Sequence, residues 1–113
     1  MIVRYNIVIN EAAEEDIEVI LNSLLEYTRN PIAVKNLWSD IVEAIEQISY
    51  YPYSNTIYEG KYINDDEIYR KIIIREYLII YKVLEEEKTI HILSMVFSSS
   101  RMSYLFDDSE RLG

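Results

Sequence analysis

The apolar positions fall into three rhythms. Residues 2–9, IVRYNIVI, are β-branched and aromatic and predict a strand. After Asn10, a good N-cap residue, the spacing becomes helical: Ala13, Ile17, Ile20, Leu21, Leu24 and Leu25 recur at three- and four-residue intervals. Glu11, Glu14, Glu15 and Asp16 occupy the first turns, where the helix dipole favours negative charge, so a helix is predicted over about 11–28. Asn30-Pro31 then reads as N-cap and first helical residue of a second helix. Its face is Val34, Leu37, Trp38, Ile41, Ala44, Ile45 and Ile48, and it should end at about residues 49–51, because a residue before Pro52 avoids helical dihedrals. The short link predicts an antiparallel helical hairpin.

Residues 52–67, PYSNTIYEGKYINDDE, show no period and read as a loop containing a short extended piece. Three strand patterns follow at 68–75, 77–84 and 89–97, joined by connections so short that neighbours must be antiparallel. Their nearly continuous apolar runs imply that both sheet faces are covered in part. In the tail, Met102, Tyr104, Leu105 and Phe106 form a small apolar group expected to dock on the rest. The order is β-α-α-β-β-β. It predicts one α+β domain over residues 1–113, with the helix pair on one face of a mainly antiparallel four-stranded sheet and the first strand at an edge or inside it.

Charge changes this picture. The chain of 113 residues carries a formal net charge of −9, which disfavours generic binding to nucleic acid or to an anionic membrane. Residues 1–60 hold ten acids and three bases, whereas residues 68–101 hold six bases against four acids. The basic island is Arg70, Lys71, Arg75, Lys82, Lys88 and Arg101, most of it within YRKIIIREYLIIYKV. On the strand at 68–75, alternation places Ile68, Arg70, Ile72 and Ile74 on one face and Tyr69, Lys71, Ile73 and Arg75 on the other, the more polar and therefore the open one. Eleven tyrosines are many for this length and suit half-buried sheet positions and interfaces. There is no cysteine, which excludes disulfides and thiolate metal sites and fits a reducing, cytoplasmic setting.

Other chemistry is thinly represented. The single histidine, His91, sits in mid-strand with Thr89, Leu93 and Met95 as its alternation partners, and reads as structural. Glu14 and Glu18 share a helix face, as an ordinary solvated acidic surface does. The serines at 98–100 have no activating base in pattern, and with Gly60 and Gly113 the only glycines no phosphate-cradling loop is possible. No metal, cofactor or membrane segment is expected.

The element order and several motifs resemble the RelE/ParE superfamily of bacterial type II toxins, also called plasmid stabilisation proteins. The motifs are INEAAEEDIEVI at the first helix, AIEQISYYPYS closing the second, YRKIIIREYLIIYKVLEEEKTIHIL across the strands, and RMSYL after them. The resemblance covers about residues 2–106. It implies a growth-inhibiting toxin held by a cognate antitoxin, acting either on DNA gyrase, as ParE-like members do, or on mRNA at the ribosome, as RelE-like endoribonucleases do. A non-toxic interaction domain is the third outcome. For a nuclease, the catalytic candidates are Arg75 and Arg101 for phosphate and Tyr104 for base stacking. For target or antitoxin binding, they are Arg70, Lys71, Lys82 and Arg101. Nuclease members often carry Arg after the Tyr that opens the third strand. Here Leu78 follows Tyr77, which places the ParE-like reading ahead.

Overall fold

The computed structural model describes residues 2–59 and 67–98. The elements are β1 (Asn6–Ile9), α1 (Glu11–Thr28), α2 (Pro31–Tyr50), β2 (Arg70–Ile74), β3 (Tyr77–Leu84) and β4 (Thr89–Phe97). The sheet order is β1-β4-β3-β2, so the first strand takes an edge. β2, β3 and β4 form an antiparallel meander, and β1 runs parallel to β4 after the helical crossover. The predicted order and layers are therefore present. The expected docking of the tail concerns residues outside the described ones.

β1 is shorter than its pattern. Only Asn6 to Ile9 have partners, opposite Thr89 to Ile92, and Ile2 and Val3 are exposed. Both helices start at the predicted residues, by different means. The Asn30 side chain accepts from the Ile32 N–H at 3.0 Å, with Pro31 at the first position. Asn10 has extended dihedrals but makes no side-chain cap. Its backbone N–H instead donates to the Ile92 carbonyl at 3.0 Å, carrying the β1–β4 ladder one residue further. Leu25 and Trp38, placed on the buried stripes by spacing, are exposed. Each sits one residue, about 100°, round the helix from a core-facing leucine, Leu24 or Leu37, and so falls on the shoulder of its stripe.

The core lies between the helices and one sheet face. Ala13, Ile17, Leu37, Ile41 and Ile48 from the helices meet Ile74, Ile79, Tyr81, Ile90, Ile92 and Met95 from the sheet. A bulge keeps this face continuous. Ile80 pairs with Ser94 but Tyr81 pairs with Ile92, so Leu93 is the extra residue of β4. Before it Ile90 and Ile92 face the helices, and after it Met95 does. The predicted alternation of His91 with Met95 is thereby corrected, because the inserted residue reverses the parity. A bulge disrupts the ladder locally, and here the Asp16 carboxylate of α1 accepts from the Met95 N–H at 3.1 Å.

Tyr81 fixes the loop after α2. It is fully buried, its hydroxyl donates to the Pro52 carbonyl at 2.7 Å, and it accepts from Asn55 Nδ2 at 3.2 Å. The loop then runs beside β2: Lys71 N–H donates to Thr56 O, Tyr58 N–H donates to Tyr69 O, and Ile57 bridges Arg70. This is the short extended piece expected within residues 52–67.

Tyr81→Phe removes both bonds and leaves the Pro52 carbonyl without its buried donor. It should lower the unfolding free energy by about 1–2 kcal/mol, read as a fall in urea midpoint at unchanged m-value. An unchanged midpoint would show that the loop is held by other contacts.

Candidate functional site

The basic residues of β2 and β3 do not act as one patch. Lys71 and Ile73 point away from the helices, and Ile73 is 63% exposed, while Ile72 and Ile74 face the core. The predicted parity of β2 thus holds for these four. It fails at Arg75, which lies beyond the strand in the β2–β3 turn at φ 56°. Positive φ at the first of two turn residues is the pattern of a II′ hairpin turn, where glycine is usual. From there the Arg75 Nε donates to Asp40 Oδ2 of α2 at 2.6 Å, on the helix side of the molecule.

Arg70 points to the same side at the other end of β2. Its guanidinium stacks 5.2 Å over the Tyr53 ring and donates to the carbonyls of Asn55 at 2.8 Å and Tyr53 at 3.4 Å. It clamps the loop that Tyr81 anchors. Lys82 lies on the outer face opposite His91 and meets Glu67 Oε1 at 3.4 Å. Of the predicted binding set, then, Lys71 and Lys82 share the outer face, whereas Arg70, like the nuclease candidate Arg75, is turned to internal partners. Arg101 and Tyr104 lie outside the described residues. Leu78 pairs with Ile73 and Val96 and is 1% exposed, a buried apolar residue on the face away from the helices.

Among the described residues, the most strongly perturbed carboxylate was not foreseen. Glu85, in the β3–β4 turn, accepts from Tyr5 Oη at 2.7 Å, from Tyr53 Oη at 2.7 Å and from Lys88 Nζ. Lys88, then Tyr53 and Tyr5, hold its carboxyl down to about 2. Burial and then the bond to Glu85 push the Tyr53 phenol up to about 12. Lys88 Nζ also sits 5.4 Å over the Tyr5 ring. The cluster ties the segment before β1, the α2–β2 loop and the β3–β4 turn together. Its sequence signal was only the count of tyrosines, because the partners stand 80 and 32 residues apart. Among the described residues no group of three His, Asp or Glu is arranged to hold a metal ion.

One depression opens beside β3. The β2–β3 ladder ends at Arg70 opposite Tyr81, but β3 continues to Leu84, and the chain at 67–69 diverges from it. The gap, about 360 Å³, lies between Glu67, Ile68 and Arg70 on one side and Lys82, Val83 and Leu84 on the other.

Residues 7–102 match the family described as ParE toxin of type II toxin-antitoxin system, parDE. The chain belongs to this toxin family, within the RelE/ParE superfamily. Solved structures with the same fold include an archaeal RelE–RelB complex from Pyrococcus horikoshii OT3, at 20% identity and TM-score 0.59, covering 85% of this chain and 97% of that one. The RelBE2 toxin–antitoxin complex of Mycobacterium tuberculosis matches at 16% identity and TM-score 0.56, covering 85% of this chain and all of the other. A search of curated proteins returned no match. At these identities the solved structures speak for the ParE/RelE fold: two helices on a four-stranded, mostly antiparallel sheet. Among the described residues no helix of this toxin-family chain is long and apolar enough to cross a membrane.

The tyrosine–glutamate cluster has a pH signature. Glu85, ordinarily at 4.5, is lowered to about 2. Its contribution to stability is complete above pH 4.5 and is lost as pH falls toward 2. Tyr53 is raised from 10.0 to about 12, so its contribution holds below pH 10 and is lost as pH rises toward 12. Glu85→Gln should therefore flatten the acid limb of urea midpoint against pH and weaken the loss on the alkaline limb. An unchanged acid limb would mean that other carboxylates govern it.

Proposed function

We propose that this chain arrests bacterial growth by binding a macromolecular target, with DNA gyrase as that target, and that a cognate antitoxin neutralises it. The match of residues 7–102 to the ParE toxin family carries the reading. That the solved relatives are toxin–antitoxin complexes supports the antitoxin partner.

The geometry of the bases supports binding over RNA cleavage. Cleavage needs cations converging on one phosphate and a proton donor or acceptor within reach. Arg70 and Arg75 stand five positions apart, about 16 Å along an extended chain. The first is committed to the Tyr53 and Asn55 carbonyls, the second to Asp40. Lys82 meets Glu67. Glu85, the strongly acidic carboxylate, is occupied by three donors and is poorly suited to take a proton near neutral pH. The position after Tyr77, where nuclease relatives often carry Arg, is the buried Leu78.

Induction of the chain should stop growth, and co-expression of the antitoxin should restore it. Purified protein should inhibit supercoiling by purified gyrase, while primer extension on mRNA from induced cells shows no new ribosome-phased ends. Phased ends with unaffected gyrase would replace this reading with a RelE-like endoribonuclease. Absence of growth arrest would leave an interaction domain without toxicity.

A further inference from the structure

We infer that the tip of the helical hairpin, residues 25–32, is the arm with which this chain enters its protein target, in an apolar cleft rimmed by carboxylates. The inference rests on the reading that the chain acts by binding a macromolecular target. It names the part that binds and the chemistry it requires.

The arm stands clear of the sheet. The Ser49 carbonyl of α2 accepts from the Tyr5 N–H just before β1, and Asp40 meets Arg75 in the β2–β3 turn, at the other end of the strands. α2 therefore runs between those two ends. Nine of its residues, from Pro31 on, precede Asp40 and carry the helix about 14 Å past the turn. α1 accompanies it. No residue between Ile17 and Leu37 is buried, and residues 25–32 are all exposed.

Exposure does not leave the arm loose. Thr28 Oγ1 donates to the Leu24 carbonyl at 2.8 Å and accepts from the Asn30 N–H at 3.1 Å. Arg29, at φ 53°, donates from its backbone to Leu25 at 2.8 Å, and Asn30 caps α2 through the Ile32 N–H. The Ala33 N–H donates to the Asn30 carbonyl at 3.1 Å. These bonds use groups that helix ends otherwise leave open. The tip thus holds one geometry before a partner arrives, and binding it costs little ordering entropy.

The displayed side chains specify the partner. Tyr27 is 91% exposed and Ile32 66%, two large apolar groups on a tip that buries neither. Tyrosine and arginine are the residue types that anchor protein interfaces, seated in desolvated pockets. Charge agrees with this. Residues 1–60 hold three bases, and two of them, Arg29 and Lys35, fall within seven residues at this end, against ten acids in the same half. An apolar tip with cations beside it calls for an apolar cleft with carboxylates at its rim. A convex arm fits a concave site on a larger protein, whereas a neutralising segment that folds on binding seats in grooves and along strand edges. Two cations on an otherwise acidic helical layer are too few to hold a nucleic acid by its phosphates.

The test compares the full chain with Tyr27→Ala/Ile32→Ala, with Lys35→Glu, and with Ile73→Ser as an exposed apolar control on the sheet. Urea midpoints equal to wild type verify folding. The double variant should need about thirtyfold more protein for half-inhibition of gyrase supercoiling and should relieve growth arrest. Lys35→Glu should cost about tenfold, a loss that shrinks as salt rises. Ile73→Ser should inhibit as wild type does, and every variant should still bind the antitoxin. Wild-type potency of the double variant and of Lys35→Glu overturns the inference. So does a double variant that stays toxic but escapes the antitoxin, which would give the tip to the neutralising partner. Arrest by wild type with unaffected gyrase sinks only gyrase as the target, and relief of that arrest by the double variant upholds the arm. A wild type that arrests nothing sinks the toxin reading and the arm with it.

Discussion

The single extra residue in β4 sets the geometry on which the rest depends. A strand of nine residues in strict alternation would send Ile90 and Ile92 to the helices but Met95 to the opposite face. Leu93 absorbs one position, so Met95 joins Ile79 under the helices and Phe97 comes level with Tyr77, their rings stacked at 5.1 Å. The same irregularity is held by Asp16, which reads in sequence as one of several acids at a helix start. Its carboxylate bonds the Met95 amide and so couples the first turns of α1 to the sheet. A carboxylate bonded to a partly buried amide is stronger than a neutral contact, so this bond fixes where α1 lies on the strands.

Polar side chains rather than glycines shape the connections. The chain has two glycines in all. Left-handed dihedrals are nevertheless required after α1, in the β2–β3 turn and before β4, and Arg29, Arg75 and Lys88 supply them. A side chain in that region costs on the order of 1 kcal/mol, offset in part by local bonds. Arg29 donates from its backbone to Leu25 and from Nε to Glu26, Arg75 reaches Asp40, and Lys88 reaches Glu85. Tyrosine does comparable work for the long loop, with Tyr81 beneath it and Tyr53 tied to Glu85 and stacked under Arg70.

This explains why the fold was legible in the sequence and the site was less so. Helical and strand periods are local, and they located every element, with β1 shortened only because β4 begins at Thr89. The parity of β2 followed for Lys71, Ile72, Ile73 and Ile74 because alternation is a backbone property. A bulge has no comparable signal in INTERIOR apolar runs such as IHILSMV, where either parity presents an apolar face. The fates of Arg75 and Arg70 depended on residues far along the chain, Asp40 and Asn55, whereas Lys88 meets Glu85 within the same turn. Charge counting saw a basic island, but long side chains at strand ends choose partners by reach rather than by neighbourhood.

What separates the bases is the side of the sheet each can reach. Arg70 and Arg75, at the two ends of β2, turn toward the helices and close internal contacts that hold a loop and a turn in place. Lys71 and Lys82 remain on the face away from the helices, beside exposed Ile73 and half-buried His91. Among the described residues, Lys71 and Lys82 form a narrow positive strip on this face, and it adjoins the stretch of β3 beyond its ladder with β2. Where β2 stops at Arg70, no described strand stands opposite Val83, and the neighbouring Lys82 is met by Glu67.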